Sequence, residues 1–122
     1  MINHLTINTL DFNRAKAFYG AALAPIGYTQ AFEHPGSVCF ADASDADSVW
    51  VSTAKQGATP TPVHIAFTAA DEASVQAFYD AALKAGATDN GKPGPRPDYG
   101  PNYYAAFVHD PEGNNIEAVH NA

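Results

Sequence analysis

Apolar and polar residues alternate from residue 4 to residue 8: Leu5 and Ile7 take one side, His4, Thr6 and Asn8 the other. The same two-residue period returns at 64–68, where Ile65 and Phe67 oppose His64, Ala66 and Thr68. This alternation predicts a strand with one buried face. After each strand the period lengthens to that of a helix. Phe18 with Ala22, and Phe78 with Ala82, fall four residues apart on one face. Helices are expected over 12–24 and 72–85. Asp11 and Asp71 stand where a short carboxylate can accept from free N–H groups at a helix start, and Gly27 and Gly86 where helices commonly stop. Three short strands are expected after each helix, near 28–33, 37–42 and 48–53, then near 87–92, 102–109 and 114–120. The turn "DPEGN", 110–114, joins the last two: Pro111 presets φ and Gly113 permits a positive one.

The halves are a duplication. "HLTINTLDFNRAKAFYGAAL", 4–23, aligns without a gap on "HIAFTAADEASVQAFYDAAL", 64–83, with eight of twenty positions identical. "KQGATPTP", 55–62, reads as the linker. The chain is therefore read as one α+β domain, 1–122, of two βαβββ modules, 1–57 and 62–122. Toward the C-terminus the offset between copies grows from 60 to 67, judged by the matched spacings Phe40–Val49 and Phe107–Ile116. The seven additional residues are placed in "KPGPRPDYGP", 92–101, whose four prolines and two glycines predict a stiff, irregular loop.

Composition narrows the function. A net charge of −7 with six scattered basic residues argues against nucleic acid. No apolar run is long enough to span a membrane, and no signal peptide is visible. The single cysteine, Cys39, excludes an internal disulfide, suits a reducing cytosol, and is expected to be a buried, inert thiol; a cytoplasmic location follows as an expectation.

The changed offset sets Glu117 opposite Trp50, so the duplicated scaffold offers four equivalent positions: His4, Trp50, His64 and Glu117. Ile116 and Ala118 take the apolar side of the last strand, leaving Glu117 on the face shared by the histidines. A lone inward carboxylate is costly to desolvate, and a divalent cation held by two neutral imidazoles removes that cost. Two His and one carboxylate on one side of an ion leave three positions open, an arrangement typical of Fe(II) oxygenases and open to Mn, Co, Ni or Zn. Any one of these residues alone is more often structural, and Glu117 has Arg96 as a rival partner; their symmetry-matched placement favours a metal. His34, His109 and His120 are expected to be surface or structural, with His109 and His120 as reserve ligands. Asp110 and Glu112 are expected only to shape the hairpin. No nucleophile elbow, phosphate loop or dinucleotide fingerprint occurs, and no catalytic residue is assigned.

The paired modules, with "HLTI" at the first strand, "HIAF" at the fifth and "DPEGNNIE" before the end, resemble the vicinal oxygen chelate superfamily over nearly the whole chain. That group includes glyoxalase I, the fosfomycin-resistance thiol transferases, the extradiol dioxygenases and the bleomycin-resistance proteins; the ending resembles short bacterial glyoxalase-like members. The resemblance implies a cupped mixed sheet around one divalent metal ion at His4, His64 and Glu117. It implies a homodimer in which His4 comes from one chain and His64 with Glu117 from the other, the alternative being a site within one chain. The implied function is that of a metal-dependent enzyme, with lyase or isomerase, dioxygenase or thiol transferase chemistry on a small molecule that chelates through adjacent oxygens. Trp50 departs from glyoxalase I, which has a carboxylate or amide there, and so argues against a true lactoylglutathione lyase. Thr6 matches the substrate-facing threonine of the fosfomycin transferases, whose basic residues Lys92 and Arg96 echo loosely. Trp50 is expected to form an apolar wall, Arg96 either to meet an anionic group or to be a solvated loop charge, and Tyr99 and Tyr104 to shape the loop side. Only one of Tyr103 and Tyr104 can face inward. The alternative function is a metal-free protein that sequesters a flat apolar compound.

Overall fold

A computed structural model describes residues 2–44 and 48–122. Residues 1 and 45–47, which the expected boundaries of module one take in, lie outside the described residues. The elements run β1 (His4–Thr9), α1 (Phe12–Leu23), a 3-10 turn (Ala24–Ile26), β2 (Thr29–His34), β3 (Ser37–Ala41) and β4 (Ser48–Thr53). They repeat as β5 (His64–Thr68), α2 (Glu72–Lys84), β6 (Thr88–Pro95), β7 (Tyr103–His109) and β8 (Asn115–Asn121). Each module makes a four-stranded mixed sheet, ordered β1-β4-β3-β2 and β5-β8-β7-β6. The first and last strands of each module are parallel neighbours; the remaining pairs are antiparallel.

Both helices begin as their capping residues require. Asp11 Oδ1 accepts from the Arg14 N–H at 3.2 Å, and Asp71 Oδ1 from the Ser74 N–H at 2.7 Å. Helix α1 stops one residue earlier than its spacing predicts. Pro25 has no N–H to continue the ladder, so the chain tightens into the 3-10 turn, and Gly27 closes that turn at φ 95°. The buried helix faces repeat sixty residues apart: Ala15, Phe18, Tyr19 and Ala22 in α1, and Val75, Phe78, Tyr79 and Ala82 in α2. Each helix covers its own sheet, the two helices pack on each other, and the buried residues of both modules form one apolar cluster. Burying a side chain such as Phe18 or Phe78 contributes roughly 1.5–3 kcal/mol.

Polar contacts reinforce this junction. The Tyr19 hydroxyl of α1 donates to the Asp110 carboxylate, and the Thr9 hydroxyl donates to Glu112. The Leu10 N–H also donates to Glu112, at 2.9 Å. Asp110 meanwhile accepts from the Glu112 N–H at 2.9 Å and the Asn114 N–H at 2.8 Å. The sequence suggested that the carboxylates of "DPEGN" only shape its hairpin; the structure shows that they also tie the second module to the first.

The 92–101 segment is partly regular. Strand β6 continues through Pro95, with register shifts between Asp89 and Gly91 and between Gly91 and Gly94. It lies at the sheet edge, where a proline without an N–H interrupts no inner ladder. Among the described residues no helix is long and apolar enough to cross a membrane.

Candidate functional site

The ladder registers of the two modules superpose. His4 lies beside Ser48 and Thr6 beside Trp50; His64 lies beside Asn115 and Ala66 beside Glu117. Trp50 and Glu117 therefore occupy equivalent places, as the offset of 67 implies. The neighbouring strand behaves differently. Trp50 pairs with Cys39, but Glu117 pairs with Phe107, so the counterpart of Phe40 is Val108 rather than Phe107. Phe40 and Val108 are both buried in the core, at 1 % and 0 % exposure. Phe107 faces the other way, on the side of Glu117.

That outer face of the second sheet gathers an imidazole, a carboxylate and a phenol. His64 Nε2 lies 2.9 Å from Glu117 Oε1. The Tyr103 hydroxyl donates to Glu117 Oε2. The Glu117 side chain is 3 % exposed, whereas that of His64 is 53 % exposed, so a buried carboxylate is met from the solvent side by an accessible imidazole. The hydrogen bond to Glu117, followed by burial, pushes the Tyr103 phenol up to about 12, because ionising it would set two anions side by side. Phe107 flanks His64 with ring centroids 6.2 Å apart. The Arg96 guanidinium lies 5.4 Å above the Phe107 ring. Its Nη2 donates to the Lys92 carbonyl at 2.7 Å and its Nη1 to the Gly94 carbonyl at 2.9 Å. Tyr99 sets its ring edge-on to Tyr103 at 5.4 Å.

Tyr104 points elsewhere. Strand alternation turns it to the helix side, where it packs against the core and accepts a hydrogen bond from Gln76 Nε2 at 2.8 Å. Of the adjacent pair, Tyr103 is the tyrosine on the Glu117 face, and this corrects the expectation for Tyr104. Tyr103 and Phe107 are the site-face residues that sequence reasoning did not select. Their signal was available: a turn at 110–114 sets residue 107 opposite residue 117. The alignment of Phe107 on Phe40 concealed it.

His4 and Thr6 lie exposed on the outer face of the first sheet, beside Trp50. His4 Nδ1 is 2.8 Å from Asn3 Oδ1. Trp50 stacks with His34 at a 7° interplanar angle, which gives His34 a role on this face rather than at an isolated turn. The reserve candidates do not join the pair. His120 Nδ1 lies 3.2 Å from the Ala69 carbonyl, and His109 pairs with Asn115 at the end of β7. Both outer faces turn away from the shared core, so one chain brings together His64 and Glu117 but not His4. Among the described residues no three His, Cys, Asp or Glu side chains of one chain gather to hold a metal. A cleft of about 380 Å³ between the modules, lined by Leu5, Tyr28, Val49, Ile65 and Phe67 among others, includes none of His4, His64 and Glu117.

Three solved structures are close to this chain in shape and remote from it in sequence. A glyoxalase/bleomycin resistance protein from Albidiferax ferrireducens T118 is 25 % identical, with a TM-score of 0.84 over 99 % of this chain and 98 % of that one. A glyoxalase/bleomycin resistance protein/dioxygenase family enzyme from Burkholderia phytofirmans PsJN is 18 % identical, with a TM-score of 0.75 over 98 % of each chain. A lactoylglutathione lyase from Agrobacterium tumefaciens is 20 % identical, with a TM-score of 0.70 over 98 % of this chain and 92 % of that one. No curated protein matches the sequence. A family model matches residues 1–118, and with the duplicated βαβββ modules in place the chain belongs to the Glyoxalase/Bleomycin resistance protein/Dioxygenase superfamily.

Proposed function

We propose that this chain is a divalent-metal-dependent enzyme acting on a small molecule that presents oxygens on adjacent atoms. His64 and Glu117 of one copy, with His4 of the partner subunit, are the ligands in this reading. The observation that carries it is the buried Glu117 carboxylate with an accessible imidazole nitrogen 2.9 Å from one of its oxygens. Two donors about 2.1 Å from a common cation and at right angles to it lie about 3.0 Å apart, so the separation suits a shared ion. The exposure of His4, Thr6 and Phe32, the last at 61 %, supports pairing of two copies outer face to outer face.

Bound there, the cation would supply Lewis-acid polarisation of the substrate oxygens. The other work falls to the chain. Tyr103 keeps one oxygen of Glu117 engaged, Phe107 forms the wall beside His64, and Thr6 and Trp50 of the partner subunit close the opposite wall. Tyr99 borders the loop side. Arg96 supports Phe107 in this reading, since its donors are directed to carbonyls of its own loop.

A second reading, a metal-free binding protein for a flat apolar compound, is favoured by one observation. Glu117 already has an imidazole and a phenol as partners, and no buried side-chain polar atom among the described residues lacks one. Elemental analysis of protein purified without added metal or chelator separates the two. Near-stoichiometric Fe, Mn, Ni, Co or Zn that is lost in His4→Ala and Glu117→Ala supports the enzyme. Protein that is metal-free and takes up none of these ions when supplied supports the binder.

A further inference from the structure

We infer that Tyr103 is a positioning residue for Glu117: its phenol holds Oε2, so that Oε1 alone is presented beside His64. The inference rests on the metal reading above and extends it to a residue that would touch neither ion nor substrate. The two carboxylate oxygens have separate partners, Tyr103 on Oε2 and His64 Nε2 on Oε1. With the Glu117 side chain 3 % exposed, water does not compete for Oε2.

Tyr103 is itself fixed. The Arg96 N–H donates to its carbonyl at 2.7 Å, Tyr99 packs edge-on against its ring at 5.4 Å, and β7 pairs it with Asn121. Both Arg96 and Tyr99 come from the 92–101 segment, where the seven residues without a counterpart in the first module are placed. A phenol engaged on one carboxylate oxygen occupies one of its lone pairs and biases the group to bind a cation through the other. A glutamate free to bind through both would leave two open positions in place of three, room for a chelating substrate but for nothing beside it. Groups that orient a metal-binding side chain in this way commonly hold 10- to 100-fold in metal affinity, by general experience of about that size.

The test uses Co²⁺ alone, titrated against a competing chelator, on the full chain. Tyr103→Phe is expected to weaken Co²⁺ binding about 10- to 100-fold. It should also change the visible spectrum of the bound ion, since the second carboxylate oxygen would then be free to coordinate. Tyr104→Phe, one residue away on the opposite face of β7, should change neither. Wild-type affinity and spectrum in Tyr103→Phe would overturn the positioning role while leaving the metal reading in place. Wild-type protein that takes up no Co²⁺ removes the metal reading and this inference together. If Tyr103→Phe does not fold, Tyr99→Ala serves, since Tyr99 is 65 % exposed. It should weaken binding several-fold, about 3-fold or more, and unchanged affinity there counts against the inference.

Discussion

Tyr19 is 1 % exposed, and its hydroxyl donates to the Asp110 carboxylate across the module junction. Burial first, then the Asp110 charge and hydrogen bond, push this phenol far above its ordinary range. In the folded protein it stays protonated at a pH where the unfolded chain ionises it. Because the folded value is the higher one, its contribution to stability is whole below about pH 10 and is lost progressively as pH rises beyond that. Tyr19→Phe removes the donor and leaves Asp110 with the Glu112 and Asn114 N–H groups and the Asn114 side-chain amide. The expected cost is about 1–3 kcal/mol at neutral pH, measured by urea unfolding. The difference between wild type and variant should shrink between about pH 9.5 and pH 11. A difference that stays constant over that interval would assign Tyr19 to packing alone.

The duplicated helices make a matched pair of experiments at the level of the element. Phe18 and Phe78 occupy the same place in α1 and α2 and are 1 % and 0 % exposed. Phe18→Ala and Phe78→Ala should each cost about 3–5 kcal/mol in chemical denaturation, since both leave a cavity in the common core. If only one of them destabilises, the two modules do not share that core equally. Edge strand β6 offers a second test, tied to the site. Gly91 has φ +146°, and a Cβ there would stand 3.0 Å from Phe107 Cδ1 and 3.2 Å from Arg96 Nη2. Gly91→Ala should lower stability by more than about 1 kcal/mol and push the Phe107 ring aside. The His64 ring protons, beside that ring, should then shift in NMR spectra; unmoved resonances would mean that β6 yields instead. These elements also mark what could be read from the residues in advance. Periodicity, two aspartate caps and one tight turn sufficed for both helices and for the existence of all eight strands, because each signal is local. The extent of β6 escaped, since prolines read as loop unless the strand is known to lie at an edge. The choice of Tyr103 over Tyr104 escaped too, because facing depends on hairpin register, and two aromatic residues in succession carry no alternation.

For the molecule as a whole, the decisive fact is where the two sheets turn their faces. Both are covered on the inside by the helices and share one core, so their histidine faces look outward and apart. The repeat places His4 and His64 at equivalent ladder positions, beside Ser48 and Asn115, but equivalence within two modules is not proximity within one chain. Sequence alone could match the positions and not the distances. If His4 shares an ion with His64 and Glu117 as proposed, an isologous pair of copies is the economical way to assemble the site, since a twofold axis that forms one such site necessarily forms two.

This pairing makes a prediction that a site within one chain cannot meet. Neither His4→Ala nor Glu117→Ala protein should hold metal, because every site in either homodimer has lost a ligand. When the two variants are mixed and allowed to exchange subunits, the mixed dimer regains one complete site. His4 comes from the Glu117→Ala copy, and His64 with Glu117 from the His4→Ala copy. Its other site carries both substitutions and stays empty. Random exchange makes half of the dimers mixed, with one site in place of two, so the mixture should recover about one quarter of the wild-type metal content. Native mass spectrometry on the same samples checks that dimers are present and that mixed dimers have formed. Recovery near zero in a mixture shown to contain mixed dimers would mean that the three side chains do not share an ion across the interface.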